Sequence, residues 1–267
     1  MQENMAAAFR FHATECTRAE PEIHSRRYVL FYFSLHYSLR QTLNERLAQT
    51  ALDDVEDGSA IRVLVVFHSW SGNTLSLAQA VAGGARCESG ATVSIRRVAE
   101  IRNEHELLSD RRFGQQFAAA CAYPVVTADE VLDADVVILG CPTRMGTLSA
   151  EMKRFIDGLG PIWSDGALAN KVGAAFTTAS TPHGGQEMTL LSLVVAMSHL
   201  GMIVACPGYT AGIFEIAGSP YGASSTSKVD GIRTRPRPAD LAAAAALGER
   251  SACVGRWVRR GRQMERL

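Results

Sequence analysis

From residue 61 onward, short apolar segments alternate with segments of helical periodicity, and that alternation narrows the folds open to this chain. Residues 62–67 form an apolar run built on Val63-Leu64-Val65-Val66-Phe67. Residues 74–87 follow, with Leu75, Leu77, Ala78, Ala82 and Ala85 spaced to share the core-facing side of a helix. Residues 91–98 alternate as a strand with one wet face, and residues 100–133 read as loop and helix, with a new layer starting over Val125 to Leu132. A buried strand is expected at 135–141, then helix 149–159, strand 171–178, helix 185–200, strand 202–207 and a closing helix near 238–260. Apolar strands separated by helices mean a parallel sheet covered on both faces.

Five such strands fit a flavodoxin-like, doubly wound α/β sheet in the order 2-1-3-4-5. A sheet of that order holds its ligand at the carboxyl ends of strands 1 and 3. The turn at the first of these ends is Ser69-Trp70-Ser71-Gly72-Asn73-Thr74. Strand, hydroxyl- and glycine-bearing turn, then helix start is a phosphate cradle, because the first N–H groups of the helix and its dipole both favour an anion. Gly72 lets the backbone approach the ligand, and Ser69, Ser71 and Thr74 add hydroxyl donors. No lysine lies in the turn, which excludes a Walker-type triphosphate loop. The glycine spacing is not G-x-G-x-x-G, which argues against a dinucleotide pyrophosphate. A hydroxyl cradle without a cation suits a phosphate monoester such as that of FMN.

If the first loop binds phosphate, the loops after strands 3 and 4 should face the rest of a flavin. The first of them reads Cys141-Pro142-Thr143-Arg144-Met145-Gly146-Thr147-Leu148-Ser149. Its backbone could edge an isoalloxazine ring, with Met145 packed on the ring face. The second reads Thr178-Ala179-Ser180-Thr181-Pro182-His183-Gly184-Gly185-Gln186. Its hydroxyls and glycines ahead of a helix suit a ribityl chain and the pyrimidine edge.

Several stretches together carry a family resemblance: Pro142-Thr143-Arg144-Met145-Gly146, residues 158–168 (GLGPIWSDGAL), Gly184-Gly185-Gln186-Glu187, His199-Leu200-Gly201-Met202, Ser219-Pro220-Tyr221-Gly222-Ala223 and Asp230-Gly231. From residue 61 to about 262 the chain resembles the flavodoxin-like WrbA-type NAD(P)H:quinone oxidoreductases. The resemblance implies bound FMN, NAD(P)H and quinone as substrates, and a homotetramer whose sites form between subunits. It implies that Ser69, Trp70, Ser71, Gly72, Asn73 and Thr74 hold the phosphate, and that Thr143, Arg144 and Met145 flank the ring. Thr178, Ala179, Ser180, Thr181, Pro182 and His183 would contact ribityl and ring. His199 would reach the site from another subunit, and Trp163 would wall the quinone side. The chain departs from the family in three places. Ser71-Gly72-Asn73 stands where the family has Tyr-Gly-His, a tyrosine tied to nicotinamide binding. Met145 and Thr147 replace Phe and Asn. Residues 1–60 have no counterpart.

Composition removes other classes. Lys+Arg and Asp+Glu are both 27, and no basic patch interleaved with aromatics points to nucleic acid. The six cysteines (Cys16, Cys87, Cys121, Cys141, Cys206, Cys253) form no C-x-x-C pair and read as buried free thiols of a reducing, cytoplasmic compartment. No metal-ligand cluster stands out among the seven histidines. No apolar run reaches the roughly 18–20 residues of a membrane span. Ser25-Arg26-Arg27 precedes an aromatic stretch, Tyr28 to Leu39, but Arg40 closes it too early for an export signal.

The expected organisation is an N-terminal extension over 1–60, a flavin domain over 61–262 and a tail over 263–267. The extension carries 6 Arg against 9 Asp+Glu, leaving 21 Lys+Arg against 18 Asp+Glu for the rest. Residues 28–52 could form one helix, and 53–59 form an acidic linker. Two rival readings stand beside it, a flavin-bound regulatory or interaction protein without turnover and a one-electron flavodoxin carrier, the latter favoured by the Ser-x-Ser-Gly-Asn-Thr turn. The carrier's usual strong acidic field is missing from residues 61–267. No protein nucleophile or general acid is expected, because the cofactor carries the chemistry.

Overall fold

The computed structural model describes residues 60–229 and 232–264. The helix expected over 28–52, the acidic run 53–59, Cys16 and Asp230-Gly231 lie outside the described residues. Strand β1 (Ile61–Phe67) leads through the hydroxyl turn into helix α1 (Asn73–Ala85), and β2 (Ala91–Arg97) follows. Three short helices come next, α2 (Glu104–Ser109), α3 (Gly114–Cys121) and α4 (Ala128–Asp133). Then come β3 (Val136–Pro142), α5 (Ala150–Asp157), α6 (Gly160–Ser164), β4 (Val172–Ala179), α7 (Gln186–His199) and β5 (Ile203–Val204). A 3₁₀ turn (Gly212–Glu215), β6 (Ala223–Thr226), the short pair β7 (Lys228–Val229) and β8 (Ile232–Arg233), and α8 (Pro238–Met264) complete the chain.

The main sheet is parallel in the expected order β2-β1-β3-β4-β5. Every residue of β3 and β4 is buried, as two-sided cover demands. Alternate residues of β1 feed two cores. Val63, Val65 and Phe67 pack with Leu77 and Val81 of α1 and Leu247 of α8. Leu64 and Val66 face the other way, toward Met152 of α5 and Leu190, Leu193 and Met197 of α7. Val63 sits opposite both Val93 and Val136, and Val136 opposite Val172. This shared register levels the carboxyl ends of the central strands, so their three loops emerge side by side. Phe176 lies beside Gly140 across the β3–β4 ladder, and its ring fills the space a β-carbon on Gly140 would take.

The fifth position differs from the expected strand 202–207. Strand β5 pairs only with Val172 and Gly173. Cys206-Pro207-Gly208 then takes the chain away, since proline has no N–H for the ladder and Gly208 turns through φ +54°. The chain returns as β6, which pairs with Phe176 to Ala179. Two short strands therefore share one edge, and the excursion between them buries Phe214 and Ala217 in the α1–α8 core. The closing helix runs through Met264, four residues past its expected end. Among the described residues no helix is long and apolar enough to cross a membrane.

Candidate cofactor site

The site grows from the start of α1. Gly72 is the N-cap in a left-handed conformation (φ +83°), and no side chain caps the helix. The backbone N–H groups of Asn73, Thr74 and Leu75 therefore have no partner among the described residues, although all three residues are buried. Buried, orphaned N–H donors at a helix start call for an anion. The Gly72 N–H donates to Ser69 Oγ at 3.2 Å, and the Ser76 N–H closes the turn onto the Gly72 carbonyl. The hydroxyls of Thr74 and Thr178 lie 2.8 Å apart, which ties the phosphate turn to the end of β4. Each hydroxyl has one proton, so one of the two remains free to donate to a ligand. Ser71 is exposed on the rim. These residues fit a phosphate monoester.

The loop after β3 is a two-residue hairpin. Arg144 and Thr147 exchange both N–H···O bonds, at 2.8 and 3.0 Å, around Met145-Gly146. Both tip residues have positive φ, +49° and +81°, as a type I′ turn requires. Methionine in that conformation stores about 1 kcal/mol of strain, and its side chain stands fully exposed at the tip. The loop after β4 packs against this hairpin. A β-carbon on Gly185 (φ +91°) would lie 2.8 Å from the Gly146 Cα. Thr143 is locked between them, bonded to Thr189 Oγ1 at 3.0 Å and through its N–H to the Thr178 carbonyl at 2.8 Å. Thr178 and Ala179 are buried, whereas Ser180, Thr181, Pro182 and His183 line the open rim. The three loops thus form one edge.

Trp70 packs beside that edge, half-buried. Its indole N–H donates to Glu100 Oε2 at 2.9 Å, and its ring stacks on Phe113 at 5.6 Å in a small core with Leu107 and Phe117. Arg144 and Arg102 each place a guanidinium over the Trp70 ring, at 5.2 and 5.5 Å. Beneath lies a group that the sequence pattern did not reveal. His68, 1% exposed, has Glu100 Oε1 3.4 Å from Nε2 and Glu151 Oε2 3.6 Å from Nδ1, with Ser149 Oγ at 2.8 Å from Nδ1. The two ring nitrogens face different carboxylates, Nε2 has no hydrogen-bond partner, and one ligand atom from each of His68, Glu100 and Glu151 lies within 4.8 Å of the others, a grouping that the scattered histidines of the sequence did not announce and that could hold a cation. His68, Glu100 and Ser149 belong to three different loops, so the cluster fastens those loops together. Nothing in local periodicity marks it, because Ser149 lies 81 positions from His68 and Glu151 further still, and they meet only through the sheet.

Residues 61–215 match the family described as NADPH-dependent FMN reductase. An NAD(P)H dehydrogenase (quinone) of Archaeoglobus fulgidus is 42% identical over 193 residues, covering 72% of this chain and 96% of the relative. One from Geotalea uraniireducens is 39% identical over 199 residues, covering 73% and 97%. Among solved structures, a flavodoxin, WrbA-like protein from Agrobacterium tumefaciens superposes with a TM-score of 0.50 at 25% identity, covering 74% of this chain and 99% of its own. The chain belongs to the NADPH-dependent FMN reductase family. The WrbA-type resemblance read from the residues is thereby borne out.

Two of the expected site residues of this family member do not join the cofactor edge of their own chain. The Trp163 indole donates to the His199 carbonyl at 2.8 Å, so these two sit together. His199 ends α7, whose 14 residues span about 21 Å at 1.5 Å per residue. The next strand, β5, starts opposite Val172, the first residue of β4. Trp163 and His199 therefore lie toward the amino ends of the strands, away from the three loops. Trp163 is 52% exposed there.

The cysteine expectation needs correction. Cys141 is buried beside the β3 loop, and burial pushes its thiol up to about 11, which keeps it protonated and inert. Cys87 is exposed, and Cys121, Cys206 and Cys253 are only partly covered. These four lie on helices or loops at the margins of the core, where small size alone does not enforce burial.

Proposed function

We propose that this chain is an FMN-dependent NAD(P)H:quinone oxidoreductase that works as a homotetramer in the cytoplasm. The observation that carries the reading is the buried, uncapped start of α1, set where the loops of β1, β3 and β4 meet. The activity named for relatives at about 40% identity supports it. FMN, when bound, would supply two-electron redox chemistry between a reduced nicotinamide and a quinone. The chain's own residues bind, orient and shield. Asn73, Thr74 and Leu75 offer N–H groups to the phosphate, with Ser69 and the Thr74–Thr178 pair as hydroxyl partners. Ser180 to His183 line the ribityl side. The Thr143 to Met145 hairpin edges the ring, and Arg144 braces it against Trp70. If donor and acceptor were to share one site in turn, the kinetics would be ping-pong.

The remote position of Trp163 and His199 supports a site completed by a neighbouring subunit. Met188, Val195 and Trp163 add exposed apolar surface suited to that contact. Free thiols and the lack of an acidic field suit a reducing compartment and an enzyme rather than an electron carrier.

The purified protein should release FMN on denaturation and oxidise NADH or NADPH with benzoquinone, giving parallel double-reciprocal lines. Activity per chain should fall on dilution before the fold is lost, as sedimentation across the same concentrations would record. An active monomer, or a flavoprotein that consumes neither nicotinamide, refutes the assignment. Trp163→Ala tests the contribution across subunits. It should lower quinone kcat/KM several-fold to about tenfold, the worth of a lost aromatic contact, with flavin content unchanged. Lost flavin with unaltered quinone kinetics per flavin would make Trp163 purely structural.

A further inference from the structure

The phosphate turn contains no cation, but the fold delivers one from elsewhere in the chain. Residues 234–236 lie against the start of α1. Asn73 Nδ2 donates to the Thr234 carbonyl at 3.2 Å, a contact between residues 161 positions apart. Pro236 is buried, which anchors this segment just before α8. Arg235 then points back over the turn, and a β-carbon built on Gly72 would lie 2.7 Å from its Nη1. Its neighbour Arg237 is neutralised by Asp240 through a 2.7 Å ion pair. Arg235 has no such carboxylate among the described residues, and the first turn of α1 has no acidic residue. Three orphaned N–H groups, the positive end of a 13-residue helix and an uncompensated guanidinium therefore converge on one point. Arg235 is exposed, so the turn stays open to a ligand from solvent, and that concentration of positive charge favours an anion.

We propose that Arg235 is the cationic ligand of the FMN phosphate, closing over the turn from the far end of the chain and selecting the phosphorylated flavin over riboflavin. This rests on the FMN reading above and adds the residue that supplies the charge. The planar guanidinium could donate paired N–H bonds to a phosphate held by the α1 backbone, and it cannot lose its proton. Asn73 fixes the approach by holding the Thr234 carbonyl. The phosphate then sits between a helix start and an arginine contributed by separate segments, so cofactor binding also tethers residues 234–236 to α1.

The test uses the full chain stripped of flavin, as wild type, Arg235→Gln and Arg235→Lys, titrated with FMN and with riboflavin by fluorescence quenching. Arg235→Gln should weaken FMN by about ten- to hundredfold, the range for a hydrogen bond to a charged group, and leave riboflavin within about twofold. Arg235→Lys keeps the charge without the fork and should fall between wild type and glutamine. Added salt should weaken FMN binding more in wild type than in Arg235→Gln. The proposal is overturned if Arg235→Gln binds FMN like wild type, or if both variants lose FMN and riboflavin in equal measure. A wild-type chain that binds riboflavin and FMN equally tightly also overturns it, while leaving a flavin enzyme in place. A wild-type chain that binds neither flavin sinks the FMN reading itself.

Discussion

Gly72→Val yields a folded protein that purifies without flavin. Gly72 holds φ +83° at the N-cap of α1, and valine is among the residues least able to adopt it. Forcing the conformation costs about 2–3 kcal/mol. The contact that a β-carbon would make with Arg235 Nη1 matters less, because the end of an arginine side chain swings aside. Gln116 Cβ, at 3.3 Å, yields less readily. The turn relieves the strain by moving, and in doing so it misdirects the N–H groups of Asn73, Thr74 and Leu75. FMN affinity should drop about hundredfold, since each 1.4 kcal/mol is a factor of ten. A domain stable by about 5–15 kcal/mol survives that loss. The ratio of flavin absorbance to protein absorbance, together with an unchanged circular dichroism spectrum, checks both halves. One flavin per chain in the variant would show that this turn is not the phosphate cradle.

Gly83→Ala and Gly84→Ala should move stability in opposite directions, although the two glycines are adjacent in α1. Gly83 is exposed and nothing lies within 4 Å of the place its β-carbon would take. Alanine there gains up to about 1 kcal/mol of helix propensity. At Gly84 the same methyl would overlap the Ala245 carbonyl of α8, and a methyl on Gly248 would overlap the Val81 carbonyl of α1. The two helices thus touch backbone to backbone, and no flexible side chain can give way. Gly84→Ala must push them apart and open the core holding Leu77, Val81 and Leu247. That costs about 3 kcal/mol, the upper end for an added methyl in a closed contact and well above the propensity gain. Urea midpoints of the two variants against wild type measure the difference. Equal midpoints would mean that α1 and α8 are not in close contact in solution.

Much of this protein was legible in its sequence, because the relevant signals are local. The predominantly apolar runs at β1, β3 and β4 called for a sheet covered on both faces, and their alternation with helical periodicity made that sheet parallel. Helix ends were found to within one or two residues for α1, α5 and α7, as glycines or Ser149 mark where they start. The hydroxyl turn at 69–74 was legible as a glycine-bearing helix start because strand, glycine and helix are contiguous, and the structure leaves that start buried and uncapped. Only the tertiary structure decided the rest, and in each case the deciding contact joins residues remote in the chain. The fifth strand split in two because its pairing depends on β4 and on where Pro207 breaks the ladder, not on its own apolar content. The Trp70 side chain is held beside the turn because Glu100 and Phe113 offer its indole a bond and a stacking partner. Trp163 and His199 went to the far end of α7 because a helix of 14 residues carries its last turn some 20 Å from its first. Arg235 reached the phosphate turn because a buried proline and one hydrogen bond from Asn73 bring its segment onto α1. Periodicity and turn chemistry act over a few residues and fix the elements. The charge, strain and shielding of the site come from pairings across as many as 161 positions, which no local pattern encodes.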